Sequence, residues 1–215
     1  MGDHGAPTTG HVLHWARGYD VLVWVLTLGR EGRFRRRLAD LAHLEPGAAV
    51  LDVGCGTGGL AIAAKGVVGR EGQVCGVDPS PEMVERARRK AARAGVDVGF
   101  ETAAVESLPF DGASFDVVLS SLMLHHLTDE VRRRGTAEIA RVLRPGGRFL
   151  AVDIGGGKDA KRHGFLHRLP RHAGFDLQEI EPVLDGAGFH IVEQGPIGSS
   201  GVIGLSDLRF ILADT

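Results

Sequence analysis

The stretch Ala48 to Gly59, AAVLDVGCGTGG, constrains the chain most, because an apolar run leads straight into a cluster of glycines. A run interrupted only by Asp52 reads as a parallel strand covered on both faces. Glycines placed where a strand turns into a helix let the backbone approach a ligand with no Cβ in the way. The first decision of the fold is therefore strand, ligand-facing loop, helix.

The same alternation continues. Leu60 to Val68 suits a packed helix, and Gln73 to Val77 a second strand that ends at Asp78. Ser80-Pro81-Glu82 opens a helix, with Ser80 as cap, Pro81 at the first helical position and Glu82 against the positive end of the dipole. Gly95 closes it. Strands are expected at Val96 to Phe100, Phe115 to Ser120 and Arg148 to Val152, with a helix around Asp129 to Leu143. Beyond Asp153 come a basic, His-rich loop (Gly155 to His172), a helix near Asp176 to Ala187, and strands at Phe189 to Gln194 and Leu208 to Ala213. Repeated βαβ units imply right-handed crossovers and helices on both faces of the sheet. The expected fold is α/β: a Rossmann-like, doubly wound, mostly parallel seven-stranded sheet with one antiparallel strand near the C-terminus.

Ahead of the core, Met1 to Gly10 reads as a disordered lead-in. Apolar residues from His14 to Leu44 suggest two helices broken at Gly29 and Gly32, with Pro46-Gly47 ending the segment. The chain divides into a tail with lid helices (1–44) and one ligand-binding catalytic domain (45–215). A net charge of −2 gives no general attraction to nucleic acid, and the basic runs Arg33 to Arg37, Arg86 to Arg93 and Arg132 to Arg134 read as solvated helix faces. Cys55 and Cys75 are the only cysteines, which argues against a secreted disulfide framework. Val21 to Leu28 is too short to span a bilayer, so a cytoplasmic protein without stable membrane insertion is expected. That apolar segment reads equally as a lid, a lipid-facing surface or a homodimer contact.

The loop alone supports two ligands. Gly54, Gly56 and Gly59 satisfy the dinucleotide pattern G-x-G-x-x-G, and Asp78 stands where its ribose-binding acid belongs, so a nicotinamide-dependent oxidoreductase is the rival reading. Asp52, just before the first glycine, favours a ligand with a cationic portion and disfavours a pyrophosphate. Leu51 to Gly58 resembles the first motif of class I S-adenosylmethionine-dependent methyltransferases. The likeness extends through Gly76-Val77-Asp78-Pro79-Ser80-Pro81-Glu82-Met83, Glu106 to Phe110, Phe115 to Val118 and Arg141 to Gly147. It implies S-adenosyl-L-methionine as cofactor, with Asp78 on the ribose hydroxyls, Met83 against adenine and the backbone near Gly54 and Gly56 facing the methionine portion, and Asp52, Cys55, Pro79 and Ser120 join them as expected cofactor-binding residues. The family usually places Asp where this chain has Ala104, which leaves adenine to the Val105 amide and to Glu106. Loss of that carboxylate motivates a third reading, a cofactor-binding protein without activity.

On the acceptor side, His125 and His126 follow the fourth strand and Asp153 ends the fifth, so all three are candidate catalytic residues at the carboxyl edge of the sheet. Ser120-Ser121-Leu122-Met123 replaces the Asn/Asp-Pro-Pro-Tyr/Phe of amine-directed enzymes, and its apolar wall suits a small apolar or aromatic acceptor. The N-terminal segment resembles ubiquinone/menaquinone biosynthesis C-methyltransferases at Tyr19-Asp20, Leu26 to Gly29 and Phe34-Arg35, a likeness that implies Tyr19 as a lid residue near the methionine carboxylate. Val23, Glu31 and His125-His126 depart from that pattern. His163, His167 and His172 lie among arginines without a carboxylate or thiolate, so they read as a lid loop and no metal site is expected.

Overall fold

The computed structural model describes residues 31–155, 175–197 and 208–215. In chain order these form α1 (Glu31–Leu41), β1 (Ala49–Val53), α2 (Gly59–Val68), β2 (Gln73–Asp78), α3 (Pro81–Ala94), β3 (Gly99–Thr102) and β4 (Phe115–Ser121). A 3-10 turn (Leu124–His126), α4 (Asp129–Val142), β5 (Leu143–Ile154), a second 3-10 turn (Leu177–Ile180), α5 (Glu181–Gly186), β6 (His190–Pro196) and β7 (Leu208–Asp214) follow. The strands make a seven-stranded sheet in the order β3-β2-β1-β4-β5-β7-β6. β7 is antiparallel to both neighbours while β1 to β5 pair in parallel, which is the expected mixed sheet.

Alternate residues of the central strands bury on opposite faces, as the period of a strand requires. Val50, Val117, Leu119, Leu150 and Val152 pack with Leu38 and Leu41 of α1, Leu60 and Ala64 of α2, and Val84 and Ala87 of α3. Leu51, Val53, Val118, Phe149 and Ala151 face Val131, Ile139 and Val142 of α4 with Leu177, Ile180 and Leu184. Both faces are covered, so the ligand has to approach along an edge of the sheet. Register sets which edge: Val53 lies beside Ser120, and Ser120 beside Ala151, so β1, β4 and β5 finish together at their carboxyl ends.

Several local expectations are met atom by atom. Ser80 Oγ accepts from the Met83 N–H at 3.4 Å, Pro81 opens α3, and Gly95 ends it with φ 66°. Other boundaries move for identifiable reasons. Gly32 lies in the first turn of α1, and Gly29, the other expected break, lies outside the described residues. The third strand starts at Gly99 rather than Val96, because the Val96 N–H is still donating to the Ala91 carbonyl as the chain leaves α3. β5 begins at Leu143, with a register shift that absorbs Arg144 to Gly147 before Arg148 pairs with Val117. The helix expected near Asp176 divides into a 3-10 turn capped by Asp176 and α5, with Pro182 in its first turn, where a missing N–H costs nothing. Among the described residues no helix is long and apolar enough to cross a membrane.

Candidate functional site

The glycine loop between β1 and α2 owes its path to left-handed residues: Gly54, Gly56 and Gly58 have φ of 70°, 52° and 76°. A Cβ on Gly58 would stand 2.7 Å from the Phe100 ring and 2.8 Å from Ala87, and one on Gly54 would run into the Met123 side chain. Both glycines therefore serve close packing as well as conformation. The leading amides point inward. The N–H groups of Gly54 and Cys55 both donate to the Val77 carbonyl at 2.9 Å, and that of Gly56 donates to Asp78 Oδ2 at 2.9 Å. A pyrophosphate site needs such amides for its oxygens. Here they are spent, which suits a cationic ligand better than an anionic one.

Beside the loop, Asp52 is 2% exposed and its Oδ2 accepts from the Ala61 N–H at 3.1 Å, in the first turn of α2. It borders a hollow lined also by Phe34, Arg35, Gly54, Thr57 and Leu122. At the end of β2, the carboxylate of Asp78 spans two elements: Oδ2 holds Gly56 and Oδ1 accepts from the Ser80 N–H at 2.9 Å. Burial pushes this carboxyl above its ordinary range, against the two backbone hydrogen bonds. Pro79 is half-buried and Met83 buried directly beyond. Ala104 and Val105 are buried and Glu106 half-buried in the loop after β3. That loop is clamped by α4: Glu138 accepts from the Leu108 N–H at 2.9 Å, and Arg141 donates to the Leu108 carbonyl at 3.1 Å. Ser120, buried at the end of β4, has a hydroxyl with no hydrogen-bond partner among the described residues. An orphaned donor there fits a ligand that completes the set.

A second cluster sits where β4 and β5 finish. Leu122 takes the left-handed conformation, φ 56°, and turns the chain out of the sheet into the Leu124–His126 turn. His125 Nδ1 meets Asp153 Oδ1 at 2.6 Å, with 5% and 0% of the two side chains exposed. Asp153 also accepts from the Ile154 N–H at 2.7 Å and the His125 N–H at 3.2 Å. A carboxylate acceptor puts the ring proton on Nδ1 and the lone pair on Nε2. The His126 ring lies 3.9 Å from that of His125, tilted by 47°.

A methyltransferase domain model matches residues 50–147. The ubiquinone/menaquinone biosynthesis C-methyltransferase of Geobacter sp. strain M21 is 32% identical over 163 residues, covering 73% of this chain and 68% of that protein. The 27-O-demethylrifamycin SV methyltransferase of Amycolatopsis mediterranei is 42% identical over 124 residues, covering 57% of this chain and 44% of that protein. A solved S-adenosylmethionine-dependent methyltransferase from Aquifex aeolicus superposes with a TM-score of 0.73 at 20% identity, over 93% of this chain and 97% of that one, a likeness of fold. The chain belongs to the class I S-adenosylmethionine-dependent methyltransferases. It spans about three fifths of the length of several curated relatives.

This methyltransferase departs from a dinucleotide fold in its sheet as well, since the usual dinucleotide order 3-2-1-4-5-6 has no antiparallel strand inserted after β5. The nicotinamide reading is dropped. Tyr19, Val21 to Leu28, and His163, His167 and His172 lie outside the described residues. Among the described residues no group of three or more His, Cys, Asp or Glu side chains is placed to hold a metal ion. Two arginines in runs that look solvated turn inward: Arg35, noted above only as part of the Phe34-Arg35 likeness, and Arg132, which the sequence reading passed over. Arg35 is half-buried and reaches the hollow beside Asp52. Arg132 donates to the Leu127 carbonyl at 3.0 Å and the Leu124 carbonyl at 3.4 Å, and it sits 4.8 Å over the Phe175 ring, bracketing the histidine turn. Apolar neighbours on the same helices, Leu38 three residues after Arg35 and Val131 just before Arg132, mark the faces that meet the core.

Asp52 supplies a pH test of this geometry. Burial, opposed by the Ala61 hydrogen bond and by Arg35, pushes its carboxyl up from 3.8 to about 7. Between those values the folded chain holds a proton there that the unfolded chain has released, so this residue makes stability fall as pH rises through that window. The slope is at most about 1.4 kcal/mol per pH unit. Asp52→Asn removes the titration and keeps an acceptor for Ala61, so its melting temperature should gain on the wild type from pH 5 to 7. Parallel curves would place the Asp52 carboxyl back in its ordinary range.

Proposed function

We propose that this methyltransferase acts on a small apolar or aromatic acceptor bearing a hydroxyl, with His125 taking the hydroxyl proton and Asp153 orienting the imidazole. The observation that carries this reading is the buried 2.6 Å His125–Asp153 pair at the carboxyl edge, beside the glycine loop. A hydroxyl is weakly nucleophilic until its proton is taken, and a base with a fixed tautomer serves that step. Removing the proton of a phenol activates its oxygen and the ring carbons ortho and para to it, so one base serves both outcomes. The Amycolatopsis relative's name points to an oxygen acceptor and the Geobacter relative's to carbon. His126 flanks His125 and narrows the acceptor side.

The cofactor supplies a methyl group already activated on a sulfonium, so the chain's part is to bind, align and exclude water. Asp78 holds the ribose hydroxyls with the lone pairs left after Gly56 and Ser80. Pro79 and Met83 pack on adenine, and Ala104, Val105 and Glu106 border its edge without the usual carboxylate at position 104. Gly54, Cys55, Gly56 and Ser120 surround the methionine portion, Asp52 faces its ammonium group, and Tyr19 belongs to the lid. The test is transfer of a labelled methyl group from S-adenosylmethionine to naphthols and hydroquinones, run beside primary amines and thiols of similar size. Labelled phenolic products support the reading. Transfer to amines or thiols alone overturns it.

A further inference from the structure

His125 stands on a short support. The Leu124–His126 turn makes few hydrogen bonds of its own: the His126 N–H donates to the Met123 carbonyl at 3.0 Å, and the Leu127 N–H to the Leu124 carbonyl at 3.1 Å. Arg132 fastens this turn from outside. From the first turn of α4 its side chain leans back toward the start of the helix, as helical side chains do. There the two protons of Nη2 go to the carbonyls of Leu127, at 3.0 Å, and Leu124, at 3.4 Å, which flank the two histidines. Nη1 donates to Asp129 Oδ1 at 2.9 Å. The guanidinium also lies 4.8 Å over the Phe175 ring, and the centroid of that ring is 6.3 Å from the centroid of His125. A cation near the positive end of a helix works against the dipole. With only 11% of its side chain exposed, Arg132 keeps that place through these contacts. The next arginine differs: Arg133 is 68% exposed and pairs with Glu130 on the surface.

We propose that Arg132 is a positioning residue for His125: it holds the backbone on both sides of the histidines and keeps the Phe175 ring beside the imidazole. A planar guanidinium offers in-plane donors to carbonyls and a flat face to a ring at the same time, which an ammonium on a flexible stem cannot copy. Asp153 sets the tautomer of the ring, and Arg132 sets where the ring stands. The proposal rests on the reading that His125 takes the acceptor's proton.

The test is a double-mutant cycle on methyl transfer to naphthols and hydroquinones, with the wild type, Arg132→Gln, His125→Gln and the double variant. Arg132→Gln should lower kcat by about ten- to a hundredfold, the range expected for a displaced catalytic group. KM for the acceptor and affinity for S-adenosylhomocysteine should stay within about twofold. Arg132→Lys should recover part of the loss, since one charged donor can still reach the Leu127 carbonyl, and it carries the same cycle if the glutamine variant does not fold. Added to His125→Gln, the Arg132 substitution should cost no more than about a further twofold, because a residue that acts through the imidazole has nothing left to position. A second full loss in that background would mean that Arg132 serves the fold at large, and kcat within about threefold of the wild type in Arg132→Gln would mean that the turn holds itself; either overturns the proposal. Undiminished turnover in His125→Gln alone, or no transfer to these acceptors by the wild type, would instead defeat the reading of His125 as the base, and the role of Arg132 with it.

Discussion

Glutamine in place of His125 is expected to lower kcat on a phenolic acceptor by about 10²- to 10⁴-fold, the usual contribution of a positioned general base. Affinity for S-adenosylhomocysteine should stay within about twofold, since the imidazole is assigned to the acceptor and not to the cofactor. Removing one partner of a buried carboxylate also costs stability, so Asp153 in this variant is left with the Ile154 and His125 amides alone. Asp153→Asn keeps the shape and carries a cost of its own, because the oxygen that meets Nδ1 also accepts from the Ile154 N–H. Its neutral amide turns a donor toward Nδ1, forces the ring proton onto Nε2 and leaves no lone pair facing the acceptor. Similar losses in the two variants, with intact melting curves, identify a base and its orienting partner. Retention of kcat within about threefold in both would show that the cofactor's own reactivity and alignment suffice.

The residues of this pair stand 28 apart in sequence, yet both were legible, because one follows β4 and the other lies at the end of β5, and parallel strands of one sheet finish at a common edge. The same logic exposed Gly54, Asp78 and Ser120. Local chemistry was legible too: Ser80 and Gly95 bound α3 because a cap and a left-handed residue act within a single turn of their helix. What the sequence hid depends on direction. Nothing in a run of arginines tells which one turns inward, and Arg35 and Arg132 are set only by which face of α1 and α4 meets the core. Asp52 was legible as an acid beside a ligand loop. Its second task, holding the Ala61 amide, follows from the distance between β1 and α2. The inward direction of the Gly54, Cys55 and Gly56 amides was equally hidden, and it is the feature that turns an ambiguous glycine pattern against a phosphate ligand.

Asp78→Ala should weaken S-adenosylhomocysteine binding at least tenfold. Each Asp78 oxygen already accepts one backbone N–H at 2.9 Å, from Gly56 and from Ser80, and each keeps a lone pair for one ribose hydroxyl. Hydrogen bonds to a charged acceptor contribute about 1.5 to 3 kcal/mol each, so the loss of one alone reaches tenfold. The substitution acts by a second route as well, because it strands the Gly56 amide and loosens the loop. A ligand change separates the two. The 2′-deoxy analogue of S-adenosylhomocysteine should bind the wild type about tenfold more weakly than the parent compound, and Asp78→Ala should no longer distinguish the pair. If the variant still discriminates the deoxy analogue, the hydroxyl is held elsewhere and Asp78 acts only as the brace between the glycine loop and α3. Asp78→Asn sharpens the comparison, since it retains one acceptor oxygen and removes the charge: an intermediate affinity ties the effect to the carboxylate, and full affinity refutes its role toward the ribose.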